Sequence, residues 1–436
     1  MDAYLCWPFA SKGHFHFPSA IAPVLMDVKA RFQYSLNPNA SFVYLSDSWN
    51  VHGKFTTSQA MSTVLNVPVG DERIKSESLL SAHLEECLVI SREIADENIS
   101  AAKKLMKPLG LLSSGVYSNS GFSELEFRDD SRGSDEYVQE RFIEMYKTGL
   151  IYLKHEDGKP IFFIDISKMY QQSPQNQLFE GLDVNKNIIS VFRNNLNNYV
   201  QDLPVSAVGG YATPVPLFIN DEGKISIPPA DSLPVDPRLV TKNKNHLLII
   251  KPLLNCYLMT ELLSVNLGKF ESVNYANDYH LATRINFVEH IITKKVWNRK
   301  NIFLFAMISN ALGERFSYKR GVVQEIKDLE KIDTGLSRFL VLKNTKLREE
   351  NIKLSIDVQT FKKLIKIMEL QTISTKEDIV YSNLFKRDRS ITEFCAKNIE
   401  LGELSKTLNF LIDVLFHNPG NTVAKEYLTL LLHLNT

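Results

Sequence analysis

The apolar pattern starts with a short run, Tyr4-Leu5-Cys6-Trp7, that reads as a buried strand. After a polar loop, Pro18 and Ser19 open a helix whose apolar face is Ile21, Leu25, Val28 and Phe32, spaced four, three and four apart. Pro suits a first helical turn, where its missing N–H would have no partner. Ser41 to Leu45 reads as a second strand. A helical pattern runs from about Ile74 to Lys107, stopped at Pro108 and Gly110. Gly115 to Gly133 reads as loop. A helix then spans Ser134 to Gly149, with Ser134 as N-cap, Asp135 and Glu136 in the first turn, Lys147 in the last and Gly149 at the stop. Leu247 to Leu258 is apolar enough for a strand or a buried helix. The last hundred residues carry helical stripes, Phe361-Leu364-Ile365-Met368 and Leu401-Leu404-Leu408-Leu411-Ile412-Leu415.

Composition narrows the class. A chain of 436 residues predicts two or three domains with ample core. Its 50 basic and 50 acidic residues cancel, so global charge does not advertise nucleic acid, although Lys362, Lys363, Lys366, Lys386, Arg387 and Arg389 cluster late. The cysteines Cys6, Cys87, Cys256 and Cys395 lie far apart and form no CxxC, which predicts neither a zinc knuckle nor a disulfide framework. No signal peptide or membrane-length apolar run is visible, so a cytoplasmic, non-membrane protein is expected.

A strand, a polar loop and a helix N-terminus together make an anion site, because the first helical N–H groups point into the loop. That loop carries Lys12, Gly13, His14 and His16. The stretch resembles the first signature of class I aminoacyl-tRNA synthetases. Pro8-Phe9, Gly13, Asp27 and Arg31-Phe32 hold matching places, and the His-Ile-Gly-His block falls on His16-Phe17-Pro18-Ser19. Further resemblances follow in the family's order. Trp49-Asn50-Val51-His52-Gly53 resembles the strand end that contacts the amino acid, with Asn50 where the family has Asp. Asp129-Asp130-Ser131-Arg132 through EYVQERFIEMYKTGLIY resembles the segment before the connective insertion. Tyr211, Thr213, Pro214 and Pro216, with Ser206, resemble the return from that insertion in the leucyl, valyl and isoleucyl branch. About fifty residues lie between these two segments, which implies that the editing module is missing. Gly313-Glu314-Arg315-Phe316-Ser317-Tyr318-Lys319-Arg320-Gly321 resembles the second signature, with Tyr318 in place of its second Lys. Gly335 to Leu342 follows where the family has Asp-x-x-Arg-Tyr.

The resemblance implies an α/β fold: a class I synthetase-like Rossmann parallel sheet with a short connective insertion and an α-helical C-terminal domain. The expected divisions are residues 1–150 and 205–343 for the halves of the catalytic domain, 151–204 for the insertion and 344–436 for the helical part. The implied catalytic residues are His16, Ser19, Lys319 and Arg320. Phe9, Gly13, His14, Asp278, His280 and Ser317 would bind ATP, and Trp7, Asn50, His52 and Tyr211 the amino acid. No protein-bound metal is expected, with Mg2+ only as the counter-ion of ATP. The implied activity is an AMP-forming ligation, in which an amino acid becomes an aminoacyl-adenylate and passes to tRNA or to a small-molecule or carrier acceptor. The alternative is an inactive paralogue that keeps the fold to bind tRNA, an amino acid or a protein, a reading favoured by Pro18, Ser19 and Tyr318.

Overall fold

The computed structural model describes residues 1–6, 9–10, 17–51, 54–165, 202–209, 212–240, 247–251, 254, 258, 261–262, 266–267, 270–278, 300–305, 307–310, 312–314, 316, 334–347, 351–369 and 388–433. Among the described residues the central sheet has six strands. Strand β1 (Asp2–Cys6) lies between β3 (Phe42–Leu45) and β15 (Ser272–Asp278), and β16 (Lys300–Phe305) follows β15. All four run parallel. On the far side of β3 a hairpin, β5 (Gly115–Ser118) and β6 (Gly121–Glu124), adds two antiparallel strands.

Two strands have short continuations. β2 (Phe9–Ala10) follows β1, and β4 (Ser48–Asn50) follows β3. With β7 (Phe127–Arg128) they form a second, three-stranded parallel sheet in the order β2-β4-β7. The stretch from Gly115 to Gly133, expected as loop, therefore carries three strands. They run only two to four residues, and β6 and β7 have no buried residue, so no apolar alternation marks them.

Helix α1 (Ile21–Leu36) crosses from β1 to β3 after a 3-10 turn at Phe17–Ala20. One apolar stripe was expected, but every residue from Ile21 to Ala30 is buried. The sheet covers one side, and α6 (Thr334–Lys343), α8 (Arg389–Glu400) and α10 (Thr422–Leu432) cover the other. Within the Ile74–Lys107 pattern the chain forms a 3-10 turn, α3 (Glu77–Ala82) and α4 (Leu84–Met106), with α2 (Lys54–Val64) packed on α4.

Helix α5 spans Arg132–Lys147 and is capped by Ser131, whose hydroxyl accepts from the Ser134 amide. The expected cap, Ser134, is buried in the first turn and donates to the Arg128 carbonyl at 3.0 Å. Gly149, with φ of 67°, ends the helix as expected. A separate small core joins α5 to the hairpin β8 (Ile151–Glu156) and β9 (Lys159–Ile164), to β10 (Leu203–Pro204) and β11 (Ser206–Val208), and to the β12–β13 hairpin (Phe218–Ile219, Ile225–Ser226). The strand β14 (Leu248–Ile250) pairs with β11.

Beyond the central sheet, β17 (Met307–Ser309) pairs with β18 (Asn351–Lys353), and α7 (Val358–Glu369) and α9 (Leu404–His417) complete the helical end. Its stripes are mostly core: Phe361, Leu364, Met368, Leu404, Leu408, Leu411, Ile412 and Leu415 are all buried in one cluster with α1, whereas Ile365 is partly buried and Leu401, expected in the second stripe, is the half-buried C-cap of α8.

Candidate active site

The order of the parallel strands locates the site. From β1 the chain passes through α1 to β3 on one side, while β15 lies on the other side of β1. The crevice beyond the C-terminal ends of β1 and β15 is therefore a switch point, where open α/β sheets bind ligands. Cys6 ends β1 opposite Ala276, so Asp278 and the continuation at Phe9 both extend beyond that rung. The expected nucleotide residues Phe9 and Asp278 thus flank one crevice. Ser19 sits half-buried in the 3-10 turn that enters α1. Parallel pairing sets Phe9 beside Trp49 and Ala10 beside Asn50, so the strand segment expected to meet the amino acid adjoins the one expected to meet ATP. Trp7, Gly13, His14, His16, His52, Tyr211, His280, Ser317, Lys319 and Arg320 lie outside the described residues.

The walls around these strand ends are fixed by buried polar contacts. Asp129 is 4% exposed; its amide donates to the Trp49 carbonyl at 3.3 Å, and its carboxylate accepts from the Val51 amide at 2.6 Å. Asp130 accepts two bonds from Arg128 at 2.9 Å, and Arg92 lies 3.4 Å from it. Ser114 accepts from the Ser46 and Asp47 amides at 2.8 Å, holding the link between β3 and β4. Burial raises the Asp47 carboxyl above the usual carboxylate range. Burial also pushes the Cys6 thiol well up, with Asp27 and Asp47 adding to it, so that thiol stays protonated.

Two segments read separately in the sequence meet at α5. Asp135 accepts from the Thr213 hydroxyl at 2.6 Å. The Gln139 amide group donates to the Pro214 and Val235 carbonyls and accepts from the Val235 amide at 2.8 Å. These contacts fix the residues just after Tyr211. A cleft of about 560 Å3 opens between α4, α5 and this segment, lined by Arg92, Asp96, Asp135, Gln139, Pro214 and Arg238 among others. Among the described residues that line it, none is an expected site residue.

A third pair of motifs meets behind the site. Asp27 on α1 is fully buried, with Arg338 of α6 at 2.7 Å and Arg31 at 3.0 Å. The Leu112 amide donates to it at 2.7 Å. Arg338, also fully buried, donates to the carbonyls of Leu109 and Leu431 at 3.1 and 2.8 Å, and Arg31 to that of Gly110. Burial alone would raise the Asp27 carboxyl, but Arg338, Arg31 and the Leu112 bond outweigh it and hold it below the usual range. Gly110 has φ of 55°, and a Cβ there would lie 2.7 Å from the His433 ring. Lys29, on the same helix, donates to the Glu400 carbonyl at 2.5 Å at the end of α8, and its ammonium lies 4.2 Å from the Phe303 ring centre.

Among the described residues no three His, Cys, Asp or Glu side chains are arranged to hold a metal ion, and no helix is long and apolar enough to cross a membrane. Cys6, Cys87 and Cys395 are free thiols.

No protein-family model matches the sequence, and comparison with curated protein sequences gives no match. Solved structures do match. A leucyl-tRNA synthetase from Agrobacterium radiobacter K84, in a ternary complex with tRNA and LeuAMS, superposes with a TM-score of 0.64 at 11% identity, over 98% of this chain and 82% of that one. A Mycobacterium tuberculosis methionyl-tRNA synthetase in complex with methionyl-adenylate superposes with a TM-score of 0.58 at 10% identity, over 99% and 89%. With the parallel sheet, its switch point and the helical C-terminal region on one chain, this molecule has the class I synthetase-like fold.

Proposed function

We propose that the chain is a divergent class I synthetase-like ligase that activates an amino acid with ATP and passes the aminoacyl group from its adenylate to an acceptor. The observation that supports it best is that nearly the whole chain follows the fold of solved synthetases, one of them in complex with methionyl-adenylate, while the backbone positions of Phe9 and Asn50 pair beyond the ends of β1 and β3, Asp278 ends β15 and Ser19 lies in the turn that enters α1. The reaction needs the amino-acid carboxylate aligned with the α-phosphorus, and fixed positive groups where charge builds on the pyrophosphate. His16, the turn at Ser19, and Lys319 or Arg320 would supply the second, with Mg2+ accompanying the nucleotide. Phe9, Gly13, His14, Asp278, His280 and Ser317 would line the nucleotide. Trp7, Asn50, His52 and Tyr211 would line the amino acid. The acceptor is tRNA or a smaller carrier, and the protein works in the cytoplasm.

A second reading has one specific feature behind it. Pro18 and Ser19 stand in the first signature where Gly and His are expected, and Tyr318 stands in the second in place of Lys. A chain altered at both could keep the fold only to bind tRNA, an amino acid or a protein.

Amino-acid-dependent exchange of labelled pyrophosphate into ATP, run across the twenty amino acids, separates the two. Exchange with one amino acid establishes the ligase and names its substrate. Silence throughout, with ATP also failing to raise the melting temperature, leaves the binding paralogue.

A further inference from the structure

Two uncharged stretches meet at the hairpin edge of the central sheet. Residues 32–46 and 108–123 contain no Asp, Glu, Lys, Arg or His, in a chain of which 23% is charged. The first supplies the end of α1 and β3, and the second supplies β5 and most of β6. A row of rings crosses them. Tyr34 lies 5.9 Å from Phe42, Phe42 stacks on Tyr117 at 4.7 Å, and Tyr117 lies 4.9 Å from Phe122. Val116 and Leu125 turn to the opposite face, against the core around Ala3 and Leu5. The row is buried at Phe42 and open at its margins, where Tyr34, Leu36 and Phe122 are each about half exposed. Gly115 lets the Phe122 ring lie over β5, since a Cβ there would strike the ring.

Strand β6 is the last of that sheet among the described residues, and all of its residues are exposed. Its open side has a definite bonding pattern. The Leu125 amide donates to the Ser114 carbonyl at 3.0 Å. Bonded and non-bonded rungs alternate in an antiparallel pair, so the bonded ones are Ser114–Leu125, Val116–Ser123 and Ser118–Gly121. Phe122 and Glu124 therefore turn their N–H and C=O groups outward. Strand edges are commonly blunted by Lys, Pro or a bulge. β6 has none of these: it reads Gly-Phe-Ser-Glu, in regular register with β5.

We propose that β6 pairs antiparallel with β6 of a second copy of this chain, about a twofold axis at Ser123. In that register Phe122 of each copy faces Glu124 of the other, and every outward N–H and C=O of the two strands finds a partner. The strand is thus self-complementary, as a twofold interface requires. Its surroundings suit the same partner, because an uncharged patch meets its own copy without like-charge repulsion. Glu124, the one charge in the strand, faces a ring instead of itself. Aromatic rows also stack nucleic-acid bases, but that mode needs cations along the phosphates. These stretches supply none, and the neighbouring Arg31 is held by Asp27 and the Gly110 carbonyl. The pairing goes beyond the proposed ligase chemistry and does not depend on it.

Sedimentation equilibrium of the full chain, from micromolar to millimolar, tests this, because a small interface binds weakly. The wild type is expected to form a reversible dimer. Glu124→Pro removes one outward N–H and leaves the inward bonds to β5 in place, a position where edge strands accept Pro. It should be monomeric with an unchanged urea midpoint, whereas Glu124→Gln, which keeps the N–H, should still dimerise. If E124P unfolds more easily, Phe122→Lys, which sets a cation on the edge, is read in its place. Ser123→Cys checks the register. A non-bonded rung holds its Cα atoms about 4.5 Å apart, within disulfide reach, so the oxidised variant should cross-link two copies while Ser120→Cys does not. A wild type that stays monomeric throughout overturns the inference, and loss of bulk-tRNA binding in Phe122→Ala would then assign the row to nucleic acid. A dimer that persists in E124P and F122K, with no cross-link in S123C, uses another surface and overturns it equally.

Discussion

The two halves of the first signature meet different demands. Its front half, from His16 to Ser19, leads through a 3-10 turn into α1, and here Pro18 and Ser19 depart from the synthetase pattern. Its back half, Asp27 to Phe32, keeps that pattern and is built into the core, with Asp27 and Phe32 buried and Arg31 bonded to Asp27 and to the Gly110 carbonyl. Arg338 closes the ion cluster from α6, and that helix was also recognisable by its match. The comparison shows that part of what reads as a catalytic signature is structural. A fold can keep Asp27, Arg31 and Arg338 for packing while the residues that meet ATP change, so resemblance in the back half supports the fold more than the chemistry.

Predictions that break or sharpen this contrast run from large to small. Arg338→Ala leaves Asp27 buried without its main partner and frees two carbonyls, and should cost about 3–5 kcal/mol in urea unfolding. Replacing both partners with apolar residues, D27L/R338M, should cost much less than the single change. A single change no worse than a surface substitution would dissolve the structural half of the contrast. Lys319→Ala should behave in the opposite way: pyrophosphate exchange falls about 10²–10³-fold, as for loss of a group that stabilises developing charge, with the urea midpoint unchanged.

The pH dependence comes next. The folded Asp27 carboxyl lies below its ordinary value, so the unfolded chain binds the proton more readily. Its contribution to stability is complete above the usual carboxylate pKa, about 4, and is lost as pH falls through the lowered folded value. Urea midpoints measured below about pH 4 should drop in the wild type, and the drop should be shallower in Asp27→Asn. That variant starts lower at neutral pH because Arg338 stays buried without its carboxylate. Ser131→Ala, at the α5 cap and outside both halves, should cost about 1 kcal/mol and leave exchange unaltered, which sets the scale for a purely local effect.

Much of the scaffold was legible because local pattern decides it. The Tyr4-Leu5-Cys6-Trp7 run, described as far as Cys6, the Ser41–Leu45 strand and the C-terminal stripes from Phe361 and from Leu404 became core elements. Where a tertiary contact competes with a local one, the local reading fails: Ser134 was expected to cap α5, but its hydroxyl donates to the Arg128 carbonyl and the cap is Ser131. Strands as short as β6 and β7 carry no period to read. At the site, motif order named Phe9 and Asn50, but not that parallel pairing brings their strands together.

By itself, then, the sequence determined the elements that periodicity and caps define, and the order of motifs that implies a synthetase-like sheet. Only the tertiary structure decided that α1 is buried on all sides from Ile21 to Ala30, that Asp27 answers to Arg338, and that Asp129 takes the Val51 amide. The reason is physical. Periodicity and capping act over a few residues, whereas burial and charge pairing depend on which distant segments the sheet and helices bring within a few ångströms.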